Sequence, residues 1–133
     1  MKIAEIGAPV LREVAKAVVA DEITSAPIQA FIDDLVATMR DANGAGLAAN
    51  QVFRPIRVCA IEVGDNPRYP YKPRVPLTII VNPVVEMLTD ERFENYEGCL
   101  SVPNLRGVVR RCPHVRVTGL DRRTVRKYVA QVS

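Results

Sequence analysis

Residues 44–51 read GAGLAANQ and follow directly on the clearest helical pattern in the chain. Two glycines and a run of small residues let the backbone pass close to a neighbour. They also leave N–H groups available as donors, while the Gln51 amide both donates and accepts. The stretch is not G-x-G-x-x-G and no strand precedes it, so a dinucleotide-binding α/β reading fails. Taken alone it reads as a glycine-rich connection packed against a sheet. Its surroundings set the fold class.

Upstream, Ile28, Phe31, Ile32, Leu35, Val36 and Met39 recur at helical spacing, with Asp33 and Asp34 on the opposite side. Ser25 stands where a cap belongs and Pro27 in the first turn, so a helix is expected from there to about Asp41. Further upstream, Pro9 starts a short turn at PVLREV. Downstream, IRVCAIEV (56–63) is rich in branched residues and reads as a strand, as does LTIIVNP (77–83). Between them Pro67, Pro70, Pro73 and Pro76 recur every third residue, the mark of an extended loop. VVEMLTDERFENYEG reads as two strands around a turn at Thr89–Asp90, and RGVVRRCPHVRVTGLD supplies one or two more. One amphipathic N-terminal helix followed by mostly antiparallel strands makes an α+β chain.

A second stretch, EGCLS (97–101), places Cys99 beside a glycine and near a glutamate. Cys99 is compatible with three roles: nucleophile, metal ligand or small buried hydrophobe. Cys59, inside a strand, and Cys112, beside Pro113, read as buried hydrophobes. A cysteine nucleophile needs a histidine base, and His114 is the only histidine. No signature links it to Cys99, and it reads as a surface residue at the start of a strand.

The bulk composition is that of one soluble domain. The chain has 133 residues, 48% of them hydrophobic and 25% charged, with a net charge of +3. That charge is too small to argue for DNA binding. The basic tail, with Arg122, Arg123, Arg126 and Lys127, reads as a solvated charge run, with ribosomal RNA contact as the alternative. No apolar run reaches membrane-spanning length and no secretory signal opens the chain, so no membrane partner is expected. Three sparse cysteines argue against a disulfide framework and for the cytoplasm.

GAGLAANQ and EGCLS, in this order and about fifty residues apart, resemble the two leading motifs of the peptide deformylase family. The similarity extends through APVLREVA, IRVCAIEV, VNPVVE, EGCLSVPNLRGVVRR and VRVTGLDR. It implies a metallo-amidohydrolase that removes the formyl group from N-formylmethionine of nascent proteins. Cys99 would then be the thiolate ligand of a divalent metal, Fe2+ first, with Zn2+ or Ni2+ as substitutes. Gln51 and the Leu100 N–H would hold the formyl oxygen as it becomes an oxyanion. Gly46 and Leu47 would line the peptide-binding edge. Gly44 and Gly98 would belong to the same peptide groove, with Glu97 as an anchor paired to an arginine such as Arg111. The ribosome is an implied partner.

Members of that family carry a third motif, H-E-x-x-H, which presents two histidines and a general base on one helix face. The sequence contains no such motif. Residues 1–133 are therefore expected to form a single deformylase-like domain without the C-terminal metal-binding helix. Its tail at 122–133 diverges, through truncation or a shifted frame. The alternative is a catalytically inactive peptide-binding module or a remnant, holding an extended peptide by strand addition near Gly44–Gln51 and Gly98–Leu100. Loss of a covering helix predicts exposed apolar surface on IRVCAIEV and LTIIV, covered by a homo-oligomer or left at a cost in stability.

Overall fold

The computed structural model describes residues 1–64 and 74–123, and the backbone of 127–132. Most of the proline-spaced loop therefore lies outside the described residues. A 3-10 turn at Pro9–Arg12 and a short helix α1 (Ala20–Ile23) lead into α2 (Ala26–Asp41). The strands are β1 (Gly46–Ala48), β2 (Val58–Val63), β3 (Val75–Met87), β4 (Phe93–Cys99), β5 (Val102–Arg111), β6 (Val115–Leu120) and β7 (Lys127–Val132). They form a five-stranded sheet in the order β1-β2-β3-β6-β7 and a separate ribbon of β4 with β5. Every pairing between these strands is antiparallel.

The helix forms where its apolar spacing places it. Ile28, Phe31, Ile32, Leu35, Val36 and Met39 are all buried and meet Leu47, Val58, Ala60, Ile79 and Val81 of the sheet. Leu35 is fully buried, which contributes on the order of 2–3 kcal/mol. Ser25 occupies the N-cap position but does not cap α2 with its side chain. Its hydroxyl instead donates to the Glu22 carbonyl at 2.6 Å, closing the end of α1. The two helices are so close in sequence that the hydroxyl serves the first.

LTIIVNP and the following VVEM are one strand, not two. β3 runs through Asn82 and Pro83, where the register against β6 shifts between Val81 and Val84. Asn82 takes a positive φ of 53° at that bulge and holds Val18 by both backbone groups, at 2.8 and 2.9 Å. The bend at Thr89–Asp90 leads from the large sheet into the ribbon, so β3 and β4 are not hairpin partners.

Exposed apolar surface is present, but mostly not where it was expected. In β2 and the first half of β3, Val58, Ala60, Ile79, Ile80 and Val81 are buried, and only Ile61 and Leu77 emerge. On the strands the exposed apolar residues include Val84, Val85 and Met87 at the far end of β3, and Tyr96, Leu105 and Val108 of the ribbon, with Ile6, Val14 and Val19 exposed near the N-terminus. α2 covers β1 and β2, and a strand as long as β3 outruns it.

The C-terminal segment adds an edge strand, β7, to β6. Arg122, expected to be solvated, is largely buried, with its side chain 12% exposed. It donates to Gln29 Oε1 at 2.9 Å, to the Gln29 carbonyl at 3.2 Å and to Asp33 Oδ1 at 2.8 Å. Gln29 answers by donating to the Arg122 carbonyl at 2.7 Å, so this chain end is bound to the first turns of α2. Among the described residues no helix is long and apolar enough to cross a membrane.

Candidate active site

Helix α2 ends when the Gly44 N–H donates to the Met39 carbonyl at 2.9 Å, after Asn43 at φ 56°. The chain then enters β1, which among the described residues pairs on one side only, with Gly46 opposite Ile61 and Ala48 opposite Cys59. β1 is thus a sheet edge with one row of backbone groups unpaired within the sheet. A 3-10 turn at Ala49–Val52 carries Gln51.

The Gln51 side chain is fixed at both ends. Its Oε1 accepts from the Ala48 N–H at 2.9 Å. Its Nε2 donates to Ser101 Oγ at 3.0 Å and faces Cys99 Sγ at 3.5 Å. The oxygen partner determines which end is the amide nitrogen, and that end points to the thiol. Ser101 is buried at 4% exposure. The N-terminal segment ties the two motifs together further: Ala4 N–H donates to the Gln51 carbonyl at 2.6 Å and Ile6 N–H to the Ser101 carbonyl at 2.8 Å.

Leu100 and Ser101 are the two-residue turn joining β4 to β5. The register shifts there: Gly98 faces Arg106, but Cys99 faces Val102. Pro103, Asn104 and Leu105 are the excess residues, and Asn104 takes φ 62°. Proline has no N–H to add to a ladder, so the ribbon bulges where Pro103 stands. The bulge brings Asn104, Leu105 and Arg106 to the cavity wall, residues that sequence reasoning did not single out. The only sequence signal was a Pro-Asn pair just after EGCLSV.

The cavity has a volume of about 660 Å3 and is lined by Gly44, Gly46, Gln51, Gly98, Cys99 and Leu100. Two further site residues, Leu47 and Glu97, stand off the cavity wall, Glu97 as the expected arginine-paired anchor. Leu47 is only 2% exposed and its side chain belongs to the core, because alternation along β1 turns it inward. Glu97 is not a lining residue. Arg111 grips its carboxylate in a two-armed pair, Nε to Oε2 at 2.9 Å and Nη2 to Oε1 at 2.6 Å. Asn95 adds a donor at 3.2 Å. The Arg111 hydrogen bond holds the Glu97 carboxyl below the usual carboxylate range.

The thiols differ. Cys99 is exposed, whereas Cys59 and Cys112 are half-buried. Burial pushes the Cys59 thiol up. Cys112 Sγ donates to the His114 carbonyl at 3.1 Å. His114 Nε2 lies 3.5 Å from Glu91 Oε2 with a half-exposed side chain, and His114 does not line the cavity. A catalytic metal needs three protein ligands and an open position. Among the described residues no group of three or more His, Cys, Asp or Glu side chains is arranged to hold one. Cys99 is a lone candidate ligand, so the described donor set does not fit a metal centre.

A family model for polypeptide deformylase matches residues 1–131. Peptide deformylase 1 of Bordetella pertussis is 44% identical over 119 residues, covering 90% of this chain and 66% of that protein. Peptide deformylase 2 of a Nostoc species is 38% identical over 138 residues, covering 99% of this chain and 76% of that protein. The Met-Ala-Ser-bound class I type b peptide deformylase of Acinetobacter baumannii superposes with a TM-score of 0.91 at 34% identity, over 100% of this chain and 83% of that one. The chain spans only about two thirds of the length of several of the curated relatives it matches, 66% and 65% in two further cases.

Proposed function

The chain belongs to the polypeptide deformylase family, and on that premise we propose that its cavity receives the N-formylmethionyl end of a nascent peptide. The reaction class is hydrolysis of a formamide: water adds to the formyl carbon, the C–N bond breaks, and formate and a free peptide amine leave. The observation that carries this reading is the Gln51 amide, held by Ala48 and Ser101 with Nε2 at 3.5 Å from Cys99 Sγ.

Each residue then has a task. Gln51 Nε2 and the Leu100 N–H donate to the formyl oxygen as it gains negative charge. Because the Gln51 amide is held by Ala48 and Ser101 before the substrate arrives, little reorganisation of that donor is needed as the charge develops. The free edge of β1 at Gly46 and the ribbon at Gly98 offer backbone groups to an extended peptide, which would lie as an added strand. Deformylases use a divalent metal, and among the described residues Cys99 is the one candidate ligand lining the cavity. Since the described donor set does not complete such a centre, no step is assigned to it. A second reading is a peptide-binding module that holds the formyl-methionyl end without turning it over, and the unpaired edge of β1 favours it.

The test is calorimetric titration of the 133-residue chain with formyl-Met-Ala-Ser and with Met-Ala-Ser, together with metal analysis and a formate assay. Tighter binding of the formylated peptide supports the site. Formate release with bound metal selects the enzyme, and binding alone selects the module. Equal or absent binding of both peptides overturns the proposal.

A further inference from the structure

Three glycines line the cavity, and at only one would an added Cβ come closer than 3.0 Å to a neighbour, so that something must shift. A Cβ on Gly46 would meet nothing nearer than the Ala60 carbonyl oxygen at 3.6 Å, an ordinary contact. A Cβ on Gly98 would meet Arg106 Nε at 3.3 Å, a tight contact with a long, exposed side chain. A Cβ on Gly44 would lie 2.6 Å from Leu100 Cδ1 and 3.4 Å from its Cγ. None of the three has a positive φ, so backbone conformation does not explain the glycine at 44.

We infer that Gly44 is the seat of the Leu100 side chain and positions the Cys99–Leu100 turn against Gln51. Leu100 packs against the hydrophobic core on its other side. It is therefore held between the core and the bare backbone of residue 44. Leu100 is also a turn residue between β4 and β5, so its side chain anchors the turn that carries the Leu100 N–H and Cys99. A methyl group at 44 occupies the seat and pushes the turn away from Gln51. This places the first motif's leading glycine in contact with the second motif, where it sets a backbone position as well as lining the cavity. The functional part of the inference, alignment of the Leu100 N–H with a formyl oxygen, rests on the reading proposed above.

The test separates the two. In chelator-treated protein, the rate at which iodoacetamide modifies Cys99 is followed by peptide mass spectrometry. Gly44→Ala, Leu100→Ala and the double variant are compared with the unaltered chain. The seat predicts that Gly44→Ala changes the Cys99 rate by about threefold or more, and that the same substitution in the Leu100→Ala background changes it far less, as expected for residues in direct contact. An equal effect in both backgrounds, or none in either, overturns it, because Leu100 would then absorb the methyl by rotating. Should Gly44→Ala fail to fold, Leu100→Ala alone decides: a seat loosens the turn and speeds Cys99 modification, and an unchanged rate rejects it. None of these readouts depends on deformylation. A coupled pair with no formyl-peptide binding would sink the functional reading and leave the seat standing.

Discussion

Gln51 and Cys99 are 48 residues apart in sequence, yet the amide nitrogen of one stands 3.5 Å from the sulfur of the other. The relationship depends on the opposite end of the same amide, where Oε1 takes the Ala48 N–H. An amide has one acceptor end and one donor end, so fixing the first aims the second.

Substitution at Gln51 separates these two functions. Gln51→Glu keeps an oxygen for Ala48 and removes the Nε2 donor. Its urea midpoint stays near that of the parent, while affinity for a formyl-methionyl peptide falls about tenfold, the worth of one lost hydrogen bond. Gln51→Ala also strands the Ala48 N–H and loses about a further 1 kcal/mol of stability. Urea melts and calorimetry on the two variants check both halves. Equal stability loss in both would refute the division.

Arg111→Met exposes the pH dependence of the ribbon. The Arg111 hydrogen bond depresses the Glu97 carboxyl in the folded chain. A depressed carboxylate adds stability that is complete above the unfolded value and disappears as pH falls through the folded one. The gap in Tm between parent and variant is therefore constant near neutrality and narrows as pH drops below the ordinary glutamate value of 4.5. The exposed Arg40–Glu62 pair shifts the same way but is present in both proteins, so it cancels. A gap that widens in acid would contradict the assignment.

Arg122→Met is expected to cost about 1–3 kcal/mol, because a largely buried guanidinium fork loses three acceptors at once. Asp33→Asn costs under about 1 kcal/mol, since that carboxylate is mostly exposed and the ion pair is screened. Arg122→Lys retains the charge and loses the fork, so it behaves more like methionine than like the parent. Urea titration ranks the three, and a larger loss for Asp33→Asn than for Arg122→Met would reverse the argument.

Thiol mapping gives a further check on burial. Iodoacetamide modifies exposed Cys99 well before Cys59, whose burial pushes its thiol up and limits the thiolate. Early modification of Cys59 in folded protein would show that β2 opens more readily than its packing implies.

The helix was legible because six apolar positions recur at its period, and local spacing suffices for that. The two motifs were legible as a pair, and the pairing of Glu97 with an arginine such as Arg111 came with the family resemblance that the pair carries. Strand partners were less so. Nothing in VVEMLTDERFENYEG says that its two halves belong to different sheets, because pairing is decided by distant chain. The inward side chain of Leu47 was not legible for a similar reason: a three-residue strand is too short to show which face is inward. Arg122 looked solvated in a run of charges, and only the return of the chain to Gln29 buries it.

The turn at Leu100–Ser101 has a kinetic consequence. Hairpins close in about 1–10 μs, because their contacts are local. The Gln51–Ser101 bond spans 50 residues and has to wait for a much larger loop to close. The ribbon is therefore expected to form early and the cavity late. Protection of amides at this turn from solvent exchange would time the completion of the site, not the first appearance of structure.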